Sequence, residues 1–475
     1  MGRPFARCVL GLLAIAAPSV ARTIPTRGEL RVLVVRASFP DRPLAEPVPY
    51  FMGTPESLVD RLVDYYAEVS TGRLRIVAHL GETAVVLPEP RARYVQRSAA
   101  LAGDAIREFA QAATSEADRQ ALSDAHAVIV FFPGPGRESY LKPGESGDPW
   151  SNYVELPQPV QGIDRALIVA SNQYEGLASF GVLCHEFGHL LGLPELYAPG
   201  AAVHEGIGTW GLMGQGTWVG RGNSPPHLEA WSKVRLGWVD VTTVEHSTAA
   251  VRLPAVTDAP LVVKVPAGSG DPREYYLLEN RQQQEHDARL PGEGVLVWHV
   301  DEKVTGLRTA QSTPAHKLLH LVEADGRGDL DRGTRAGGNR GDATDPWVGP
   351  SRRRRIAGGA LALLGAGFVA LAVYRATRGQ AAVLAVLSLA FGGGLLWLGS
   401  WLGRGPVCGP STPGMGPYGG GPSRVVLRNF SPSGPVMTVD VLVAPSDAMP
   451  PEGHARRGGT PPPPRLRWAA ATSTW

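Results

Sequence analysis

Cysteine is scarce in this chain of 475 residues, which contains only three. Cys8 lies in an N-terminal apolar run, so Cys184 and Cys408 are left to form one disulfide at most. A scaffold held by cross-links is therefore excluded, and stability must come from packing. A strong net charge is missing too, because the formal balance is only +2. No nucleic-acid partner is indicated, since such proteins carry a marked basic excess.

Charged residues are also missing from two long apolar runs, Ile356–Tyr374 and Ala381–Gly403. As helices they would be roughly 28 and 34 Å long, and each could cross the hydrocarbon core of a membrane. The short connection Arg375–Gln380 predicts a two-helix transmembrane hairpin, inserted at residues 351–405 and contacting membrane lipid through residues 356–403. Glycines in both runs would allow close helix packing. The alternative is a pair of buried helices in a soluble domain.

The N-terminal segment Met1–Ala21 is typical of a secretory signal peptide. Two arginines precede the apolar run Cys8–Ala16, and Ser19–Ala21 supply small residues for cleavage. The run is too short to span a bilayer. We therefore expect an exported protein, located at the extracytoplasmic face of the cell membrane, or secreted if the hairpin does not insert.

The stretch His185–His189 reads His-Glu-Phe-Gly-His and carries the strongest chemical signal. In a helix, residues four apart lie on one face, so both imidazoles can point at a single metal ion. Glu186, on the same turn, can reach a water bound to that ion. Two neutral nitrogen ligands with a displaceable water are typical of a catalytic zinc site. The alternative is two core histidines, which would not explain the glutamate between them.

A third ligand is expected just after this helix. Gly192 comes three residues after the second histidine, where a glycine with positive φ would end the helix and reverse the chain. The reversal can bring the carboxylate of Glu195 back to the metal. Glu205 and Glu229 remain rival ligands, and Glu195 could instead be an ordinary exposed carboxylate.

A glycine-rich turn, Gly208–Gly214, follows and contains Met213. The metzincin pattern consists of two histidines, a glycine, a third ligand and a methionine turn, in this order. In that pattern the methionine makes an apolar floor beneath the metal. Met213 would take that role, although methionine is also a common core filler. Cys184 directly precedes His185, but its side chain would point away from the ligands and pack in the core.

Taken together, the chain resembles the immune inhibitor A-type family of secreted bacterial metallopeptidases. Besides the zinc motif, the resemblance rests on local signatures across residues 28–350 and 418–443. These signatures are Val32–Val35 with Phe39–Asp41, Asp64–Gly72, Leu193–Tyr197, Ala230–Lys233 with Leu236–Trp238, Tyr276–Arg281 and Leu290–Gly292. Two positions depart from the family pattern. The family usually has aspartate at the position of Glu195, and Ala198 stands where an aspartate often follows the tyrosine.

The motif and the resemblance imply a zinc-dependent endopeptidase acting on extracytoplasmic proteins or peptides. His185, His189 and Glu195 would hold the zinc, and Glu186 would be the general base that activates the water. The alternative from another class is a membrane-anchored binding or adhesion protein on an inactive zinc-stabilised scaffold. Glu186 favours the enzyme, because a purely structural site needs no base. The sequence carries no signal for an oligomeric state.

Alternating apolar and amphipathic stretches over residues 22–240 predict an α/β (α+β) metzincin-like catalytic domain. Strands are expected at Glu29–Phe39, Val128–Phe132 and Ala166–Ser171, and helices at Pro55–Ser70 and Ala100–Ala113. By the metzincin resemblance, Ala166–Ala170 is expected to be the edge strand that pairs with extended substrate.

Beyond about Val241, short strands separated by turns predict a β-rich C-terminal lobe. It has two parts, residues 241–350 and 406–446, which the hairpin separates. The strands are expected at Val251–Leu253, Leu261–Val265, Glu274–Glu279, Gly294–Val300, Lys317–Val322, Val425–Phe430 and Val436–Val443. A Pro- and Arg-rich tail, residues 447–475, is expected to be disordered.

Acidic residues cluster in the loops of this lobe, at Asp325, Asp329, Asp331, Asp342 and Asp345. Calcium is a candidate ligand because carboxylate oxygens suit it. The loops lack a complete ligand-loop spacing, however, so solvated acidic turns are the favoured interpretation.

The membrane orientation follows from the split lobe. If strands after the hairpin complete the lobe that begins before it, both hairpin ends must face the catalytic side. Arg352–Arg355 and Arg404 would then lie outside, against the positive-inside tendency. The signal peptide still favours this orientation, because the catalytic domain must be translocated first.

Overall fold

The computed structural model describes residues 22–139, 147–198, 203–306, 310–313, 315–378, 382–403, 406–408, 412, 414–418 and 423–444. The predicted signal peptide, residues 1–21, and the predicted tail, residues 447–475, lie outside the described residues, as does Arg404.

A six-stranded mixed sheet forms the N-terminal half of the molecule. Its strands are β1 (Gly28–Ser38), β2 (Leu74–Leu80), β3 (Val85–Val86), β4 (Ala127–Phe132), β5 (Asn152–Val160) and β6 (Ile163–Ala170). The order is β2-β1-β4-β6-β5, with β3 beside the end of β1. All pairs are parallel except β5 with β6, which is antiparallel. All six residues of β4 are buried, as expected for a central parallel strand covered on both faces.

Helices cover the two faces of this sheet. The first three are α1 (Val48–Phe51), α2 (Leu58–Val69) and α3 (Ser98–Ala112), and α4 (Glu116–Asp124) and α5 (Phe180–Leu190) follow. Because successive side chains of a strand point to opposite faces, β1 divides its residues between two cores. Val32 and Val34 belong to the core that includes α2 and α5, whereas Leu33 and Val35 belong to the core of α3. The predicted strands and helices of this region are confirmed.

The prediction that Ala166–Ala170 is the edge strand of the sheet is wrong. Ala166–Ala170 belongs to β6, which lies between β4 and β5. The strand at this end of the sheet is β5, which the sequence pattern did not reveal. Pro157 and Pro159 weaken its strand signal, yet proline is tolerated on edge strands because the ladder does not need those amides.

Two smaller sheets form the β-rich C-terminal lobe. The five-stranded sheet has the order β12-β11-β10-β9-β7 and the three-stranded sheet has the order β13-β14-β8. Their strands are β7 (Asp240–Thr243), β8 (Thr248–Pro254), β9 (Leu261–Pro266), β10 (Glu274–Arg281), β11 (Gly294–Asp301), β12 (Leu319–Leu321), β13 (Val425–Arg428) and β14 (Val436–Val443). Strand β14 pairs antiparallel with β8, so segments nearly two hundred residues apart share one sheet.

A buried ionic cluster joins this lobe to the N-terminal half. The Arg281 guanidinium, at the end of β10, donates through Nε to Asp287 (2.6 Å) and through Nη1 to the carbonyl of Trp210 (3.1 Å). Asp287 also accepts the backbone amide of His227 (2.9 Å). Arg281 and Asp287 are fully buried. Removing one partner of such a buried pair lowers the free energy of unfolding by several kcal/mol, because the other charge is left uncompensated. The two halves are therefore packed as one unit.

A short helix, α6 (Ala230–Leu236), precedes the lobe, and two long helices, α7 (Arg352–Thr377) and α8 (Ala382–Gly403), pack against each other. A Cβ at Gly365 would lie 2.6 Å from the Gly392 carbonyl oxygen, so glycine is required for this approach. Leu363 and Trp397 are 77% and 68% exposed, which contradicts two helices buried in a soluble domain. Within the described chain, only Ile356–Thr377 is long and apolar enough to span a membrane. A pair of transmembrane helices therefore stays a prediction.

The two cysteines outside the N-terminal segment are free and buried. Cys184 lies in α5 and Cys408 beside β13. They do not form the one disulfide that the sequence allowed. Cys184 packs in the core, as predicted.

Candidate metal centre

Tyrosines of α2 position the helix that carries the motif. The hydroxyl of Tyr66 donates to the carbonyl of Cys184 (2.7 Å), and that of Tyr65 donates to the carbonyl of Pro226 (2.7 Å). Both rings are fully buried. The Tyr66 hydrogen bond fixes helix α5 from one side, whereas the Tyr65 hydrogen bond ties α2 to the segment before α6.

The end of α5 reverses the chain. Gly192 has φ +87°, and its amide donates to the His189 carbonyl (2.9 Å), while the next amide, Leu193, donates to the Gly188 carbonyl (3.1 Å). These bonds satisfy carbonyls at the helix end. After the reversal, the amide of Leu196 donates to the carbonyl of Met213 (2.9 Å). The segment between the two turns carries Glu195 back towards the helix.

Three predicted ligands converge at this point. Nε2 of His185 lies 3.2 Å from Oε2 of Glu195, and Nε2 of His189 lies 3.3 Å from its Oε1. One candidate ligand atom of each residue lies within 4.8 Å of the others. The carboxylate, one methylene longer than the aspartate usual in the family, does reach both rings.

The second nitrogen of each ring is held by the protein. Nδ1 of His185 lies 3.1 Å from the Leu212 carbonyl oxygen, and Nδ1 of His189 lies 2.8 Å from that of Leu193. A carbonyl can only accept, so Nδ1 of each ring carries a proton, and Nε2 is the atom that would offer its lone pair to a metal ion. Two neutral nitrogens and one carboxylate, oriented by outer hydrogen bonds, fit a zinc ion with one position left for water.

The ligands also stabilise one another electrostatically. Burial alone would raise the pKa of Glu195, but the charges and hydrogen bonds of His185 and His189 hold it well below its usual value. Burial alone would lower the pKa of His185, and Glu195 raises it instead. The carboxylate is therefore ionised at neutral pH, the state that a metal ligand needs.

Glu186 lies beside the ligands and is not one of them. It is 8% exposed, and its Oε2 accepts the backbone amide of Tyr153 in β5 (2.7 Å). Burial raises the pKa of Glu186 to about 8, against the opposing charge of His189. A cation held by the histidines would favour the ionised carboxylate again, because opposite charge lowers the pKa of an acid.

Met213 lies against α5 between the two histidines. A Cβ at Gly188 would be only 2.4 Å from its sulfur, so a larger residue here would force the Met213 side chain to shift. The side chain of Met213 is fully buried. The same turn supplies the carbonyl of Leu212 to His185, so it shapes the centre through both packing and hydrogen bonding.

The rival ligands are held elsewhere. Glu205 accepts the amide of Thr334 (3.0 Å) and pairs with Arg340 (3.2 Å). Glu229 accepts the amide of Ser232 (2.9 Å) at the start of α6 (Ala230–Leu236). Neither belongs to the group of converging ligand atoms.

Two residues that contact the candidate metal centre, Thr217 and Tyr153, were not predicted from the sequence. The Thr217 hydroxyl lies 3.0 Å from Nδ1 of His185, and the backbone amide of Tyr153 binds Glu186. Each of these contacts joins residues that are about thirty positions apart in the chain, and neither residue belongs to a recognisable motif. A backbone amide acts whatever its side chain is, so no residue-type signal could have identified it.

A cavity of about 340 Å³ opens beside His189. Its walls include Tyr153 and Glu155 of β5, together with Arg22 and Arg165. The cavity thus lies between the end strand of the sheet and the end of α5. A polypeptide lying along β5 would pass beside His189.

Comparison with known families agrees with this geometry. Residues 171–239 match the model of the family described as immune inhibitor A peptidase M6, catalytic domain. The matched stretch contains α5, Glu195, Met213 and α6. It supports the resemblance to the immune inhibitor A peptidases, which are metallopeptidases, and a peptidase function. No match was found among curated proteins or among solved structures.

Replacing Thr217 with valine tests the outer hydrogen bonds of the centre. Thr217→Val keeps the shape of the side chain and removes the hydroxyl beside His185, so we expect zinc affinity to fall by about ten-fold. Competition with a chromophoric chelator measures this. Thr217→Ser is the matched control and should retain most of the affinity. Equal affinity in all three proteins would show that the hydroxyl does not orient the ring.

Proposed function

We propose that the protein is a zinc-dependent endopeptidase that hydrolyses extracytoplasmic proteins or peptides. The observation that carries the proposal is the convergence of His185, His189 and Glu195, with Glu186 held beside them but bonded elsewhere. The family match over residues 171–239 supports the peptidase class independently of this geometry.

The residues around the centre have distinct tasks. When bound, zinc would act as a Lewis acid that polarises the scissile carbonyl and acidifies a water molecule. Glu186 would take a proton from the attacking water and pass it to the departing amine. Its hydrogen bond from the Tyr153 amide keeps one carboxylate oxygen fixed, which leaves the other oxygen to handle the proton.

The substrate would lie along β5. This strand ends the sheet, and its residues Tyr153 and Glu155 line the cavity beside His189. An extended peptide can add to such a strand through main-chain hydrogen bonds, which demand little of its sequence. This strand replaces Ala166–Ala170, whose backbone groups are already paired with β4 and β5.

An inactive scaffold that binds or adheres is the second candidate. It would explain the metal ligands but not a buried acid next to them. Burial raises the pKa of Glu186, so the ionised carboxylate costs stability at this position, and a scaffold without chemistry would gain nothing in return. The choice therefore depends on whether Glu186 is needed for turnover.

Glu186→Gln separates binding from chemistry. The amide keeps the shape of the side chain and can still accept the Tyr153 amide, but it cannot take a proton. We expect unchanged zinc content and a loss of casein hydrolysis of at least about 100-fold. Metal analysis and proteolysis on the same preparation measure both. Full activity of Glu186→Gln would refute the assignment of the base.

Glu195→Ala tests the third ligand. Removing the carboxylate leaves two nitrogens, so zinc occupancy at neutral pH should fall sharply while the fold is retained. Glu155→Gln is a matched control, because it removes a negative charge near the same cavity from a residue that does not converge on the histidines. Equal zinc content of Glu195→Ala and the wild type would show that another group completes the site.

Membrane attachment at the extracytoplasmic face is the second part of the proposal. The exposed apolar surface of α7 and α8 supports it, since such surface is unfavourable in water. In membranes from expressing cells, the protein should resist carbonate extraction, and a variant lacking residues 351–405 should be released. Release of the full-length protein would favour a secreted enzyme.

A further inference from the structure

Glu138 is a half-buried acid near the candidate metal centre, and the proposed reaction does not use it. It lies in the loop after β4. Burial is the main cause of the raised pKa of Glu186, and the charge of Glu138 adds to that effect. In the part of the chain that the structure describes, no lysine, arginine or histidine lies within ion-pair distance of Glu138. Its partners are neutral groups.

Both oxygens of Glu138 accept hydrogen bonds from segments that lead to the candidate metal centre. Oε2 accepts the backbone amide of Ser151 (3.0 Å), and Oε1 accepts Nε2 of Gln173 (2.7 Å). Ser151 directly precedes β5, and Gln173 lies between β6 and α5. One side chain therefore ties the start of the end strand to the segment that leads into the helix of the histidines.

The hydrogen bond to Ser151 acts on the backbone that holds Glu186. Ser151 is two residues before Tyr153, whose amide donates to Oε2 of Glu186 (2.7 Å). The Ser151 hydroxyl also accepts the amide of Ala170 (2.9 Å), so this residue is fixed to β6 as well as to Glu138. A displacement of Ser151 would move the Tyr153 amide, because only one residue separates them.

The hydrogen bond to Gln173 acts on the beginning of α5. Nε2 of Gln173 also lies 3.4 Å from the hydroxyl of Ser179, the residue before the first turn of the helix. Both residues are buried. Oε1 of Gln173 is buried without a hydrogen-bond partner, so the amide group can turn over without breaking a bond of that oxygen.

The loop that carries Glu138 has other contacts that hold it in place. The amide of Gly136 donates to the carbonyl of Asn172 (3.2 Å), and the amide of Arg137 donates to the carbonyl of Pro149 (3.1 Å). These bonds do not involve the Glu138 side chain. We therefore expect the loop to keep its shape when that side chain is changed.

We propose that Glu138 is a positioning residue, which holds the Tyr153 amide and the start of α5 so that Glu186 faces the attacking water. This inference rests on the proposed function, in which Glu186 is the general base. A base must lie within hydrogen-bond reach of the proton that it removes. A displacement of about 1 Å can lower the rate on the order of 100-fold. Glu138 acts through its two hydrogen bonds, since it is not among the converging ligands.

Two conservative variants separate the hydrogen bonds of Glu138 from its charge. Glu138→Gln keeps the length of the side chain, and its amide can bond both partners once Gln173 turns its unpaired oxygen towards it. Glu138→Asp keeps the charge but is one methylene shorter, so it cannot span both partners. The measurements are kcat and KM on a quenched fluorescent peptide that the wild type cleaves, together with zinc content.

The two variants should differ in turnover rather than in binding. We expect kcat of Glu138→Asp to fall by about ten-fold, with KM and zinc content unchanged, because the base is misplaced while the substrate and metal contacts remain. For Glu138→Gln, kcat should stay within about three-fold of the wild type. The reverse order of the two variants, or equal kcat in all three proteins, overturns the proposal. A loss of zinc or a rise in KM without a fall in kcat also contradicts it.

Glu46→Asp is the matched control. Glu46 is also half-buried, and its Oε1 accepts the hydroxyl of Ser171 (2.7 Å) and Nδ2 of Asn172 (2.9 Å) in the same segment after β6. It does not bond the start of β5, so its shortening should leave kcat unchanged. An equal loss of kcat in Glu46→Asp and Glu138→Asp contradicts a specific role of Glu138. If Glu138→Asp does not fold, Gln173→Leu replaces it and should lower kcat by about three-fold, since one of the two bonds remains.

Hydrogen exchange of the Tyr153 amide tests the positioning without any hydrolysis. The measurement uses zinc-loaded, full-length Glu186→Gln protein, in which self-cleavage is avoided, and mass spectrometry of peptides that cover Tyr153. Adding Glu138→Asp should speed exchange of this amide by about ten-fold, whereas adding Glu138→Gln should not. Amides of the buried strand β4 are the internal reference. Unchanged protection of Tyr153 in the Glu138→Asp protein overturns the proposal, whether or not the wild type proves to be a peptidase.

Discussion

The reversal at Gly192 is the constraint on which the metal centre depends. Two histidines on one helix need no tertiary structure to face the same way, but the third ligand must return within six residues. A left-handed glycine makes this possible, and the Leu196 amide fixes the returning segment to Met213. Because Met213 in turn packs on Gly188, the reversal, the turn and the helix restrain one another.

The parts of the candidate site that could be predicted from the sequence are those that local geometry determines. The helical spacing of His185 and His189 and the position of Glu195 depend on a few neighbouring residues. The outer contacts come from distant segments. Trp210 and Asp345 meet across 135 positions, and no pattern in the chain announces such a contact. The edge strand was misplaced for a related reason, because strand order is set by packing of the whole sheet.

The β-rich lobe contributes to the surroundings of the candidate metal centre. Arg281 binds the carbonyl of Trp210, and Asp345 binds its indole, so the lobe holds both ends of this residue. Trp210 lies just ahead of the turn that contains Leu212 and Met213. A stand-alone domain ending near residue 240 would lose these contacts. Its methionine turn would then keep its contacts with α5 and with the Leu196 amide but lose those of the lobe, although the family match itself ends at residue 239.

The insertion of α7 and α8 is tied to this lobe at both ends. Before α7, Trp347 forms a β-bridge with Val295, and the amide of Gly349 donates to the carbonyl of Ser431 (2.9 Å). After α8, Cys408 forms a bridge with Leu427. A folded lobe cannot extend through a bilayer, because its irregular backbone would lose its water partners there. If the helices span a membrane, the chain must therefore enter and return on the side of the metal centre. Packing of the lobe would then outweigh the preference of arginines for the cytoplasm.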